Sequence, residues 1–315
     1  MALAFIIDGG LNDPPDSGVD LYQAHESVRR LYAQVEQWTG LPAERMLRWE
    51  LSRPEEYRQV GALRQAAVVL GICDVLAERG VRPDIVGGLS LGGMIGASLA
   101  GSLERRDLFG LLARMRDAPA AVGPRQGVGT LIAPVGVELS TYLGGPPEGV
   151  YVSADLGVAG AWGSRMLLVS GYRDALERLA RQLPEDALRI HEDLDVAYHS
   201  PLSDHLAQFL EPAIAGIPFR DPAIALCSYM EPKTLTTASD VRDMFRRNQV
   251  EKVSLPHVFA GLEQHDTELA LLIGSAQLDL FLGSLPFPVV HVERLEQLPE
   301  AYAAIHEFGV ELPYS

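Results

Sequence analysis

The segment Gly88-Leu89-Ser90-Leu91-Gly92-Gly93 fits the pattern Gly-x-Ser-x-Gly. It stands between a short apolar run, Ile85-Val86, and a run of small and apolar residues over 91–99. Glycines on both sides of a serine permit a sharp strand-to-helix turn that leaves the hydroxyl exposed. The N–H groups and positive dipole end of the following helix favour a developing oxyanion. The chemistry indicated is nucleophilic attack by Ser90 on a carbonyl, and the competing reading is a glycine-rich packing turn. A serine hydroxyl is a weak nucleophile and needs a base. Of the eight histidines, His199 stands out, in Val196-Ala197-Tyr198-His199-Ser200-Pro201-Leu202, where the chain leaves a segment of different texture. His191 and His205 are competitors close in sequence. His25, His257, His265, His291 and His306 lie in polar, strand-end or helical surroundings and are assigned no catalytic role.

The elements that must hold these residues follow from the hydropathy pattern. Residues 4–7 read as a buried strand ending at Asp8-Gly9-Gly10. Residues 21–38 and 63–76 carry helical spacing of apolar side chains, with Gly80 as C-cap of the second. Residues 83–88 read as a short buried strand, and 91–99 as a tightly packed helix. This alternation predicts an α/β core with a parallel sheet. Near Pro119 the texture changes. Residues 130–135, 150–153 and 166–169 read as strands punctuated by glycine and proline, including Gly144-Gly145-Pro146-Pro147. A helix at 175–183 and a strand at 187–191 follow. The expected organisation is a large domain over 1–122 and 196–315 with a small α+β domain, 123–195, inserted in it.

Composition narrows the function classes. The 315 residues include 26 basic and 42 acidic ones, a net charge of −16. A general nucleic-acid binder needs a basic face, and an anionic membrane attracts one, so neither partner is expected. Cys73 and Cys227 lie in apolar runs and are expected as buried thiols. The N-terminal apolar run has no basic flank and meets Asp8 at once, so it reads as a strand and not a signal peptide. No apolar stretch reads as reaching about 18 residues, so no membrane span is expected. The expected setting is cytoplasmic.

The turn at 88–93, the His199-Ser200-Pro201-Leu202 stretch and their separation of 109 residues together resemble malonyl-CoA:acyl carrier protein transacylases. That family includes the acyltransferase domains of polyketide synthases. Residues 83–88 resemble the strand leading to the nucleophile. Gln65-Ala66-Ala67 resembles a Gln-Pro-Ala stretch of the preceding helix, and Ser170-Gly171 resembles the end of the small domain. The resemblance covers essentially the whole chain. It implies an α/β-hydrolase-like large domain with a parallel sheet, an inserted ferredoxin-like α+β small domain, and a catalytic pair in the cleft between them. Ser90 would accept the acyl group and His199 would be its general base. The backbone carbonyl of Asn248 would orient His199. The N–H of Leu91 would be one oxyanion donor, with the other from the first loop near Gly10 or Leu11. Gln65, Leu89, Met115, Val196 and Tyr198 would belong to the substrate site.

The departures from that pattern bear on specificity. The first loop, Gly-Gln-Gly-x-Gln in the family, here reads Gly9-Gly10-Leu11-Asn12. The residue before the nucleophile is Leu89 in place of histidine, which implies a less polar pocket. The arginine that pairs with the substrate carboxylate in malonyl-type enzymes falls at Met115, flanked by Arg114 and Arg116. Neighbours on a helix point about 100° apart, so a flanking arginine substitutes only if the register shifts by one, to Arg116. With Met115 in place, a carboxylated acyl group would bury an unpaired charge at a cost of several kcal/mol. The expectation is an uncharged acyl group. The alternative is that Met115 is a core methionine.

The cycle so implied is ping-pong, through an acyl-serine. The donor is a thioester of coenzyme A or a carrier protein, and the acceptor is the phosphopantetheine arm of an acyl carrier protein. No bound cofactor is expected. The pathway would be polyketide, antibiotic or related natural-product biosynthesis. Carrier proteins are acidic, so Arg246, Arg247 and Lys252, or Arg105-Arg106, would form a local docking rim, the alternative being solvated helix faces that balance nearby acids. The alternative activity is that of a thioesterase, water replacing the second thiol at the same site. Two lesser readings are a non-catalytic carrier-binding scaffold and an ordinary α/β-hydrolase esterase using Asp155, Asp193 or Asp195.

Overall fold

Leu3-Ala4-Phe5-Ile6-Ile7 is an unbroken apolar run, and each of the five is at most 1% exposed. A strand without polar alternation suits a sheet covered on both faces. The computed structural model describes residues 2–10, 14, 16–48, 54–144, 148–160, 163–283 and 285–309. Its strands in chain order are β1 (Ala2–Ile7), β2 (Ile85–Gly88), β3 (Gln126–Pro134), β4 (Val150–Ala159), β5 (Ser164–Tyr172) and β6 (Leu188–Ile190). They continue as β7 (Ala225–Cys227), β8 (Thr234–Leu235), β9 (Val253–Ser254), β10 (Thr267–Ile273) and β11 (Val289–Val292).

Two sheets result, ordered β11-β10-β1-β2-β7-β8 and β6-β3-β5-β4-β9. In the first, every neighbouring pair is parallel except the edge pair β7–β8. Ile7 lies level with Gly88 on one side and Ile273 on the other. The carboxyl ends of β1, β2 and β10 therefore finish together, where open α/β sheets hold their ligands. Ser90 and the Asp8-Gly9-Gly10 loop leave the sheet at this edge.

The second sheet is antiparallel except for β4–β9. Leu131, Val150, Leu167 and Val169 pack on the Arg173–Gln182 helix through Ala175, Leu176 and Leu179. Ala154 and Ala159 instead join the main core. β4 runs on to Ala159, well past the expected 153, because register shifts after Val152 and Asp155 keep it paired with β5. β9 comes from the C-terminal half and pairs with Ala154 and Asp155. The second sheet thus draws a strand from beyond residues 123–195.

Two helical expectations change. The segment 21–38 is not one helix. It breaks at His25, whose backbone is extended, into Val19–Ala24 and Glu26–Thr39. Both pieces bury the residues that suggested one helix, Leu21 in the first and Val28, Leu31 and Val35 in the second. Arg29 donates to the Tyr22 and Gln23 carbonyls, which the break leaves without helical partners. The segment 63–76 lies inside a longer helix, Pro54–Glu78, with Gly80 at φ 79° beyond it. Within it, Val60–Glu78 is long and apolar enough to cross a membrane by length and composition, contrary to the expectation that no such stretch exists. Here it is a core helix, buried among other elements. Its composition is apolar all round because its surroundings are protein on most sides. Cys73 and Cys227 are buried free thiols, and burial raises both pKa values, that of Cys227 to about 12.

The glycines of the serine turn have a packing reason. A Cβ on Gly88 would lie 2.7 Å from the Ile7 carbonyl oxygen, and one on Gly92 would collide with that same oxygen. Gly92→Ala is expected to destabilise the chain by about 1–3 kcal/mol through overpacking against backbone. A denaturant midpoint that falls with an unchanged slope is the measurement that checks it.

Candidate active site

Ser90 sits between β2 and the Leu91–Leu99 helix at φ 53° and ψ −111°. A non-glycine residue in such a conformation costs about 1–3 kcal/mol and persists only where its surroundings enforce it. Gly92 N–H donates to Leu89 O at 2.9 Å, and Met94 N–H to Ser90 O at 3.0 Å. Leu91 is the first helical residue, so its N–H has no acceptor within the helix and faces the N-terminal end. At the next position, the Tyr229 ring fills the place a Cβ on Gly93 would take.

His199 is also a left-handed residue, at φ 54°. Its Nδ1 lies 2.5 Å from the Asn248 carbonyl oxygen. A carbonyl only accepts, so Nδ1 carries the proton and Nε2 is left as the base. Asn248 is held in turn, its side-chain Oδ1 accepting from Tyr229 Oη at 2.9 Å. Tyr229 is fully buried, which pushes its phenol pKa up. Burial lowers the His199 pKa to about 4, and the bond to Asn248 opposes this.

A web of side chains fixes the loop that carries His199. Gln126 Oε1 accepts from Ala197 N–H at 2.9 Å. Ser200 and Ser203 donate to the Ala197 carbonyl at 2.6 and 2.8 Å, and Ser170 donates to the Tyr198 carbonyl at 2.9 Å. Gln126 and Ser203 were not singled out from the sequence, and Ser200 entered only as part of the His199-Ser200-Pro201-Leu202 stretch. Their signal is a buried polar side chain, which needs the fold to be seen. The competitors are committed elsewhere. His191 bonds Thr130 on β3, 2.8 Å away, and His205 Nδ1 bonds the nearby Leu202 carbonyl at 3.2 Å.

The first loop departs from expectation. The Gly10 N–H donates to Asp8 Oδ1 at 2.8 Å, so the structure does not leave it free as an oxyanion donor. Asp8 is 2% exposed, and its other oxygen accepts from Ser275 Oγ at 2.5 Å. Burial raises the Asp8 pKa against the bonds from Ser275, Gly10 and Gln277. Leu11 and Asn12 lie outside the described residues. Gln65 is also corrected. Its side chain is fully buried and donates to the Asp8 carbonyl at 3.0 Å, so it anchors the first loop and does not line the pocket. Gly9 packs against the serine turn itself. A Cβ there would collide with Gly92 N and lie 2.7 Å from Leu89 O.

Met115 follows Leu108, Leu111 and Leu112 on the buried face of the Arg105–Arg116 helix and packs half-buried against the core. Arg114 stacks over the Phe209 ring at 3.8 Å, and Arg116 Nε pairs with Asp117 at 3.3 Å. Leu89 packs half-buried against the same core, and Val196 and Tyr198 are half-buried in the His199 loop. The expected docking rim is largely neutralised. Arg246 makes two bonds to Glu211, and Arg247 pairs with Glu231, Asp243 and Glu251. Lys252 is exposed. Arg105 is not a surface cation either, since it forms a two-point pair with Asp74 at 2.7 and 2.6 Å.

No protein-family model matches the chain. The mycoketide-CoA synthase of Mycobacterium tuberculosis is 30% identical over 163 residues, which are 51% of this chain and 4% of the synthase. Polyketide synthase GfsB of Streptomyces halstedii is 30% identical over 167 residues, 51% of this chain and 3% of that protein. The chain thus spans a small fraction of the length of these relatives. Among solved structures, the malonyl-CoA:ACP transacylase of Synechocystis superposes with a TM-score of 0.83 at 17% identity, covering 95% of this chain and 100% of that one. The acyltransferase domain from the second module of the salinomycin polyketide synthase gives 0.80 at 20% identity, covering 99% and 74%. A malonyl-transacylase in complex with its type II polyketide synthase acyl-carrier protein gives 0.84 at 17% identity, covering 96% and 100%. The chain has the fold of these transacylases and acyltransferase domains, a large α/β body with a ferredoxin-like companion sheet.

An imidazole with a pKa of about 4 is neutral throughout the physiological range. Labelling of Ser90 by a fluorophosphonate is therefore expected to be flat from about pH 6 to 8 and to fall as pH drops through about 4 to 5. A limb centred near 6.5, the ordinary histidine value, would contradict this. Gln126→Ala is expected to slow the labelling at least tenfold, since a buried N–H loses its acceptor and the His199 loop loosens.

Proposed function

We propose that the chain is an acyltransferase. It moves an uncharged acyl group from a thioester to an acyl carrier protein through an acyl ester on Ser90, in polyketide or related biosynthesis. The observation that carries this reading is a strained serine at a helix N-terminus, linked through Tyr229, whose ring lies against Gly93 and whose hydroxyl bonds Asn248, to a histidine whose tautomer the Asn248 carbonyl sets. The likeness to transacylases and to polyketide synthases supports it.

In this reading Nε2 of His199 takes the Ser90 hydroxyl proton as Oγ bonds to the thioester carbon. The carbonyl oxygen becomes an oxyanion against the Leu91 N–H. The C–S bond then breaks, the thiolate takes the proton back from Nε2, and the free thiol leaves an acyl-serine behind. A second thiol, on the phosphopantetheine arm, gives its proton to Nε2 and reverses the sequence. The desolvated His199 resists lasting protonation, so the imidazolium exists only while charge lies beside it. No cofactor is needed beyond the arm that carries the acyl group.

The uncharged specificity rests on Met115, which lies on an apolar face while Arg114 and Arg116 have other partners. An acidic carrier approaching Asn248 would exchange its carboxylates for those now paired with Arg246 and Arg247. A solved complex of a transacylase with its acyl-carrier protein supports a carrier as the partner.

Intact-mass analysis with a panel of acyl thioesters tests the proposal. The expected result is an adduct with neutral acyl groups that is absent in Ser90→Ala and passes to a carrier protein. Malonyl loading should be at least tenfold weaker, and Met115→Arg should narrow that gap. Rapid release of free acid without a thiol acceptor would make the chain a thioesterase instead. Efficient malonyl loading would refute the role of Met115. For docking, Arg246→Glu with Arg247→Glu should slow transfer to the carrier more than self-acylation by a small thioester, and equal slowing would rule the rim out.

A further inference from the structure

Position 10 is a glycine although its backbone does not demand one, since Gly10 is not among the residues with positive φ. The space explains it. A Cβ built on Gly10 would stand 2.5 Å from Gln277 Cδ and 2.8 Å from Nε2, and would collide with Oε1. The three nearest atoms all belong to the far end of that one flexible side chain. Gln277 belongs to the short Ala276–Leu278 turn after β10, so its amide reaches the first loop from another part of the chain.

The first loop is thereby gripped from two sides. On one side Gly9 lies against Gly92 and Leu89 of the serine turn. On the other, Gln277 covers Gly10 while the neighbouring Ser275 bonds the Asp8 carboxylate. The Gly10 N–H is engaged by Asp8. The Gln277 Nε2 is buried and has no acceptor among the described residues. A buried amide N–H without a partner is costly, and an oxygen brought by a ligand relieves that cost.

From this geometry we infer that Gln277 completes the first loop of the acyl site. Its amide occupies the side-chain space of position 10, clamps the loop against the serine turn, and offers its Nε2–H to an oxygen of the reacting group. This rests on the reading of Ser90 as a nucleophile for acyl thioesters. The specificity of the first loop then depends on two segments far apart in sequence, which substitution can exchange.

A double-mutant cycle tests it. In Gly10→Gln the two side chains claim one space, so the melting temperature should fall by several degrees. In Gly10→Gln with Gln277→Ala the space is open, and most of the loss should be recovered. This arm needs no activity. The second arm is the rate of fluorophosphonate labelling of Ser90, which needs no acyl thioester. Gln277→Met keeps the bulk and removes the donor. It should hold the melting temperature while labelling about tenfold more slowly, the value of one lost hydrogen bond. Gln277→Ala should label at least as slowly, and the added Gly10→Gln should restore part of the rate. Additive melting temperatures, or Gln277→Met labelling at the unaltered rate, would overturn the inference. A chain that passes both arms yet transfers no acyl group would refute the acyltransferase reading and leave Gln277 in place.

Discussion

The structure depends on a contact between two stretches of main chain. The end of β1 lies so close to the serine turn that Gly9, Gly88 and Gly92 leave no room for a methyl group. Side chains ordinarily keep backbones apart, and removing them here lets the Ile7 carbonyl and the first helical turn meet. That closeness holds Ser90 in a conformation its own residue type resists. It also brings the first loop within reach of any group bound to the serine. Parallel pairing of β1 with both β2 and β10 makes the contact a property of the sheet and not of a flexible loop.

The candidate base is held differently. His199 too occupies a left-handed conformation, but hydrogen bonds and not close packing enforce it. Gln126, Ser170, Ser200 and Ser203 saturate the carbonyls and amide of the loop. They come from β3 and β5 of the second sheet and from the loop itself. The strain of the two catalytic candidates is thus distributed over separate parts of the chain. Each part tightens its own residue, as expected where a site is stored in the backbone.

Much of this was legible in the sequence, and the limits have physical reasons. The serine turn, its helix at Leu91–Leu99 and the strand before it are local patterns, so their residues reveal them. The alternation of strand and helix revealed the α/β core, and the glycine-punctuated middle revealed a second sheet. The break at His25 was hidden because apolar spacing runs through it unchanged. β9 was hidden because two residues carry no periodicity. Gln65 was read as part of the pocket because its neighbours suggested it, but burial decides its role, and burial is not local. Asp8 and Ser275 are 267 residues apart, and Gln277 meets Gly10 across the same gap. No spacing rule spans such distances. Asp243 and Glu251 stand four residues on either side of Arg247 and were legible as local partners, whereas Glu211 and Glu231 lie 35 and 16 residues away from Arg246 and Arg247 and were not.

The strand β9 has a mechanical meaning. It joins the smaller sheet through Ala154 and Asp155, and Ser254 N–H bonds the Tyr229 carbonyl. Tyr229 holds the Asn248 side chain, and Asn248 holds the imidazole. The edge of the smaller sheet, the phenol and the ring of His199 are therefore links of one train of gears. A shift of that edge would be passed along these bonds to the imidazole. In the proposed reading, the position of β9 and the aim of the His199 ring are therefore set together, so whatever disturbs one disturbs the other.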